Sequence, residues 1–143
     1  MRRTYLDTGV LIEAAAGRGP KAGVAIALLK DPNRVFLSCP FLDLELLPQV
    51  IHHRNRPQQK FLEAYLGATE RIEDMGAIFR AAFREASRSP VSGIDALHVA
   101  AAHLLKADEF ITTKSPARQS TRTRWCQWST CAADTTGFRQ LTR

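Results

Sequence analysis

The chain has 143 residues, 45% of them hydrophobic and 24% charged, the balance of one globular domain large enough for its own core. No apolar run approaches the roughly 20 residues that span a bilayer, and the opening Met1-Arg2-Arg3-Thr4-Tyr5-Leu6-Asp7 meets an acid before any apolar h-region. Three cysteines, Cys39, Cys126 and Cys131, lack the number and spacing of a disulfide framework or a zinc site, so the expectation is a cytoplasmic protein without membrane contact. The net charge of +6 is unevenly spread: residues 1–113 hold 14 basic and 13 acidic side chains, whereas 114–143 set six basic residues against Asp134 alone. The basic excess therefore belongs to the tail and gives no argument for a nucleic-acid surface on the folded body.

Along the chain, Thr4–Asp7 is a short run of β-formers followed at once by Thr8 and Gly9. Val10–Ala16 and Lys21–Lys30 suit helices, closed by Gly17 and by Asp31-Pro32. Arg34–Ser38 reads as a second strand. Pro40 suits the first turn of the next helix, which runs to about His53 despite Pro48. Pro57–Leu66 predicts another helix, Arg71–Glu73 a short edge strand, and Ala77–Ser87 an amphipathic helix with a period near 3.6. After the break Ser89-Pro90-Val91-Ser92-Gly93, the apolar helix Ile94–Lys106 is expected to be mostly buried, and Glu109–Thr113 is a strand. Strands alternating with longer helices predict an α/β fold: a three-layer arrangement with a central, mostly parallel sheet flanked by helices.

Sites in open parallel sheets form at the carboxyl ends of the strands. Asp7 stands there, and its bland role is to cap the helix that follows. Asp95 starts an apolar helix, where the macrodipole alone favours an acid. Its neighbours Ala96, Leu97, Val99 and Ala100 nevertheless place part of it towards an interior, where a charge needs a compensating charge or metal. Asp43 and Glu45 lie about 200° apart around a helix and cannot share a face; the sequence leaves open which one points inward. Carboxylates brought together from separated segments suit Mg²⁺ or Mn²⁺, hard cations that take oxygen ligands.

Three blocks carry a resemblance. Tyr5-Leu6-Asp7-Thr8-Gly9-Val10-Leu11-Ile12 is similar to the opening of a PIN domain. Gly93-Ile94-Asp95-Ala96-Leu97-His98 resembles that family's later motif, and Ala107–Thr113 resembles the strand after it. The order and spacing of the blocks over residues 4–113 make the likeness fairly specific. The resemblance implies a Mg²⁺- or Mn²⁺-dependent endoribonuclease that hydrolyses RNA phosphodiester bonds with a metal-activated water, most often the VapC toxin of a toxin–antitoxin pair. It further implies Asp7, Glu45 and Asp95 as catalytic metal ligands, a VapB-like antitoxin as partner, and a homodimer. The second acid of the family maps to Glu45, with Asp43 as the alternative.

The pattern departs from the family at Lys114, where a further acid or a polar residue is usual; Asp108 and Glu109 precede the strand, at its wrong end to replace that acid. A catalytically impaired PIN fold that binds RNA or protein is therefore the alternative function. A receiver-like phosphoacceptor domain would need paired acids at the end of the first strand, and Asp7 stands alone. The domain reading is a PIN-like body over 1–113 and an atypical basic segment, 114–143, that completes or trails it. Residues 119–143 show little strand alternation, which fits a divergent partner-binding ending or a shift of reading frame near Thr113; resequencing the gene separates the two. His98 and His103, five apart, do not share a helical metal face and read as packing residues. Thr8, Thr112 and Thr113 read as strand-end and cap residues, His52 and His53 with Arg54 and Arg56 as a basic helix end, and Trp125 and Trp128 as an apolar anchor in the tail.

Overall fold

The computed structural model describes residues 1–113, with the backbone of 129–130 and 139–142. In chain order the elements are β1 (Arg2–Leu6), α1 (Thr8–Ala16), α2 (Gly19–Leu29), β2 (Arg34–Ser38), α3 (Pro40–His52), α4 (Arg56–Gly67), β3 (Glu70–Arg71), α5 (Met75–Arg88), α6 (Gly93–Leu104), β4 (Glu109–Thr112), β5 (Ser129–Thr130) and β6 (Arg139–Thr142). The strand order is β3-β2-β1-β4-β6-β5. β1 runs parallel to both β2 and β4, β2 runs parallel to β3, and β6 is antiparallel to β4 and β5. The expected α/β fold, a mostly parallel sheet flanked by helices, is what the chain forms. Its four parallel strands end at one edge, where Leu6, Ser38, Arg71 and Thr112 hand the chain on.

Local signals explain most boundaries. Gly17 ends α1 with φ 64°, a left-handed conformation that favours glycine. Ser92 caps α6 by accepting the Asp95 N–H, and Asn55 and Asp74 cap α4 and α5 in the same way. Pro48 removes one hydrogen bond inside α3, from its own missing N–H to the Leu44 carbonyl. Both residues are exposed, so water replaces the bond and the helix continues. Under the helices lies a core that includes Tyr5, Leu6, Leu11, Leu37, Leu42, Leu62, Ile78 and Ile111.

The edge strand lies at Glu70–Arg71, starting one residue and ending two residues earlier than read from the sequence, and just beyond it the Ile72 N–H still reaches the Ser38 carbonyl at 3.2 Å. In the tail, where the sequence shows little strand alternation, Arg139–Thr142 pairs with β4 in the register Thr112↔Arg139 and Glu109↔Thr142. Ladder bonds are made by backbone groups, so a strand can join the sheet without alternating apolar residues.

Glu85, on α5, is 1% exposed, and neither carboxylate oxygen has a hydrogen-bond partner of good geometry. Burial raises its carboxyl above the ordinary range, against smaller opposing pulls from Ser89 and Arg88. The folded state thus holds this proton more tightly than the unfolded state. Stability from this group is fully present below the ordinary glutamate range and declines as pH rises through the raised value. Glu85→Gln is expected to stabilise the protein by about 1 kcal/mol at neutral pH, with a smaller gain in acid. Urea unfolding at about pH 5 and about pH 8 checks this, and equal gains at the two would refute it.

Candidate active site

The parallel sheet sets Asp7 at the junction of β1 and α1, where it is 3% exposed. Its Oδ1 accepts the Thr8 N–H at 2.8 Å, and its Oδ2 accepts the Thr112 hydroxyl at 2.6 Å. The register Leu6↔Ile111 brings the last residue of β4 alongside the residue after β1, which explains the second contact. Capping and site placement are therefore not alternatives for Asp7, since one oxygen caps and the other is held by the neighbouring strand. Gly9 allows α1 to approach the end of β4, because a Cβ there would collide with the Thr113 hydroxyl.

Glu45 lies in the second turn of α3 with a side chain 24% exposed. Its Oε2 accepts the Thr8 hydroxyl and lies 2.6 Å from His98 Nε2. Asp43 turns elsewhere: both its oxygens accept from the Arg71 guanidinium, at 3.0 and 2.8 Å, and this raises the Arg71 pKa further. The choice between the two acids, open in the sequence, thus becomes a difference of surroundings.

His98 is the residue around which the site converges. It is 2% exposed on α6, with Nδ1 3.0 Å from the Tyr5 hydroxyl and Nε2 3.8 Å from Asp7 Oδ1. The Phe41 ring lies against it at a centroid distance of 5.1 Å. Segments from β1, α1, α3 and α6 therefore meet at one imidazole. Asp95 is partly buried in the first turn of α6, three residues before His98 and so on a neighbouring part of the same helix face. The structure brings Asp7 and Glu45 to one ring nitrogen; for Asp95 it gives the helix start.

Among the described residues, no three His, Cys, Asp or Glu side chains are grouped closely enough to ligate one ion. A Mg²⁺-type cation does not need such a cage, because it is commonly held by one or two carboxylates together with water and substrate phosphate. Asp7 and Glu45, hard oxygen donors oriented by the hydroxyls of Thr112 and Thr8, fit that pattern. Lys114 lies outside the described residues, as do Trp125, Trp128, Cys126 and Cys131. A groove of about 530 Å³ adjoins Glu45, walled by Ile12, Ala15, Leu46, Val50 and Leu62 from α1, α3 and α4.

Sequence reasoning missed the part played by His98. The signal was its place three residues after Asp95, hidden by comparison with His103. It read Thr8 and Thr112 as cap and strand-end residues that could position waters at the site, whereas each hydroxyl donates to a candidate acid. Asp108 and Glu109 lie at the opposite edge: Asp108 Oδ2 accepts the Arg3 N–H at 2.8 Å, and Glu109 pairs with Arg34.

The family model described as PIN domain matches residues 4–114. No curated protein matches the chain. Among solved structures, the chain is similar to a toxin–antitoxin complex from Klebsiella pneumoniae, with TM-score 0.60 and 18% identity over 79% of this chain and 88% of that one. It is also similar to VapBC2 from Rickettsia felis bound to a DNA fragment from their promoter, with TM-score 0.56 and 16% identity over 73% of this chain and 83% of that one. At these identities the likeness is one of fold.

Proposed function

The chain belongs to the PIN-domain family, and from that premise we propose that it is a Mg²⁺- or Mn²⁺-dependent endoribonuclease, the toxin of a VapBC-type pair. The observation that carries this reading is the convergence of Asp7 and Glu45 on the buried His98 at the carboxyl edge of the parallel sheet. Asp7, Glu45 and Asp95 would hold the cation. When bound, the cation lowers the pKa of water and offsets charge developing on the phosphate. Thr112 holds Asp7 in place and Thr8 holds Glu45, so the acids are oriented before substrate arrives.

The groove beside Glu45 supports a VapB-like antitoxin as partner: it suits a peptide that lays apolar side chains along α1, α3 and α4 and brings a cation to Glu45. By their descriptions, one structural neighbour is a toxin–antitoxin complex and another is VapBC2 bound to promoter DNA. A homodimer is part of the same reading, and Phe79 and Phe83, 57% and 76% exposed one turn apart on α5, are the side chains it would cover. Monomeric sedimentation at all concentrations would remove the dimer. No helix among the described residues is long and apolar enough to cross a membrane.

Lys114, standing where the family usually has an acid, favours a second reading: a PIN fold that binds RNA or protein without cutting. Incubating the chain with RNA in EDTA and then in excess Mn²⁺ separates the two. Cleavage that appears only with metal supports the nuclease; binding without cleavage in either condition supports the module.

A further inference from the structure

The hydrogen-bond accounting around His98 points to a defined role. Tyr5 is fully buried, and burial keeps its hydroxyl well above the ordinary phenol range, so it retains its proton. Its neighbours are His98 Nδ1 at 3.0 Å and the sulfur of Cys39 at 3.5 Å. On the far side of the ring, Nε2 lies 2.6 Å from Glu45 Oε2, an oxygen that already accepts the single hydrogen of the Thr8 hydroxyl. An ionised carboxylate only accepts, so at this distance Nε2 must carry the hydrogen. Nδ1, on the other side of the ring, faces the Tyr5 hydroxyl at 3.0 Å, so Tyr5 and Glu45 hold the imidazole from its two sides.

We propose that His98 is a positioning residue, held at Nδ1 by Tyr5 so that its Nε2–H fixes the Glu45 carboxylate in place. The consequence for cation binding rests on the nuclease reading above; the hydrogen bond from Nε2 to Glu45 does not. The arrangement follows a general pattern in which residues behind the ligands fix their orientation, with losses of about 10- to 100-fold in metal affinity when they are removed.

The test compares His98→Leu with His98→Gln in the full chain. Leucine fills the apolar space beside Phe41 but cannot donate, whereas the glutamine amide can donate to Glu45. A packing role predicts that leucine is tolerated better; the positioning role predicts the opposite. By calorimetric titration with Mn²⁺, His98→Leu is expected to lose affinity by about 10- to 100-fold, and His98→Gln to recover to within a few-fold of wild type. Equal losses in both variants, or an unchanged affinity in His98→Leu, would overturn the proposal. ¹⁵N NMR of the metal-free protein reads the ring nitrogens directly: a hydrogen on Nε2 is expected, and a bare Nε2 would overturn the proposal whatever the metal data show. Failure of the wild type to take up Mn²⁺ would count against the nuclease reading, and the ¹⁵N spectrum would still decide His98.

Discussion

Asp7→Asn is expected to lower metal-dependent RNA cleavage by on the order of 10³-fold while changing stability by less than about 1 kcal/mol. The separation follows from the two oxygens of Asp7. An asparagine keeps an oxygen to cap the Thr8 N–H, and its amide can donate to the Thr112 hydroxyl, so neither local contact is lost. What disappears is the negative charge and one carboxylate oxygen for the cation. A variant that melts like the wild type but does not cut would place the defect in chemistry and not in folding. Cleavage within a few-fold of wild type would remove Asp7 from the catalytic set.

Glu109→Ala has the converse signature, a loss of stability of about 1–3 kcal/mol from the edge of the sheet opposite the site. Glu109 is fully buried at the start of β4, paired with Arg34, whose side chain is 12% exposed, and with Arg2 at 3.6 Å. Its Oε1 also accepts the Thr4 hydroxyl at 2.5 Å. Truncation leaves a mostly buried guanidinium and a buried hydroxyl without this acceptor, although Arg34 keeps its ion pair with Asp31 at 2.8 Å. Removing both partners in Arg34→Met with Glu109→Leu should be milder than Glu109→Ala alone. Urea unfolding measures all three proteins; a loss below about 1 kcal/mol in Glu109→Ala would show that the pair is not needed for the fold.

Much of this architecture was legible because local chemistry and fold agree. Gly17, Asp31-Pro32 and the Ser89–Gly93 break punctuate the helices, and the strand runs alternate with them as a parallel sheet requires. What was not legible depended on contacts distant in sequence. Nothing near Asp43 or Glu45 tells them apart; the difference lies in Arg71 across β3, which takes Asp43, and in His98 on α6, which takes Glu45. Tyr5 and His98 are 93 residues apart, so their contact could not be read from spacing. Within α6, however, the interval from Asp95 to His98 was available, and it places both on neighbouring parts of one helix face. The tail strand escaped notice because the pairing of Arg139–Thr142 with β4 uses backbone groups, which carry no side-chain pattern.

Asp7, Glu45 and Asp95 are proposed to form one cation site. Anomalous diffraction from crystals of the full chain soaked in Mn²⁺ tests it most directly. A single strong peak is expected at the carboxyl edge of the sheet, with oxygens of Asp7 and Glu45 about 2.0–2.3 Å away and Asp95 bound directly or through water. A peak away from these acids, or none at Mn²⁺ concentrations that support cleavage, would contradict it.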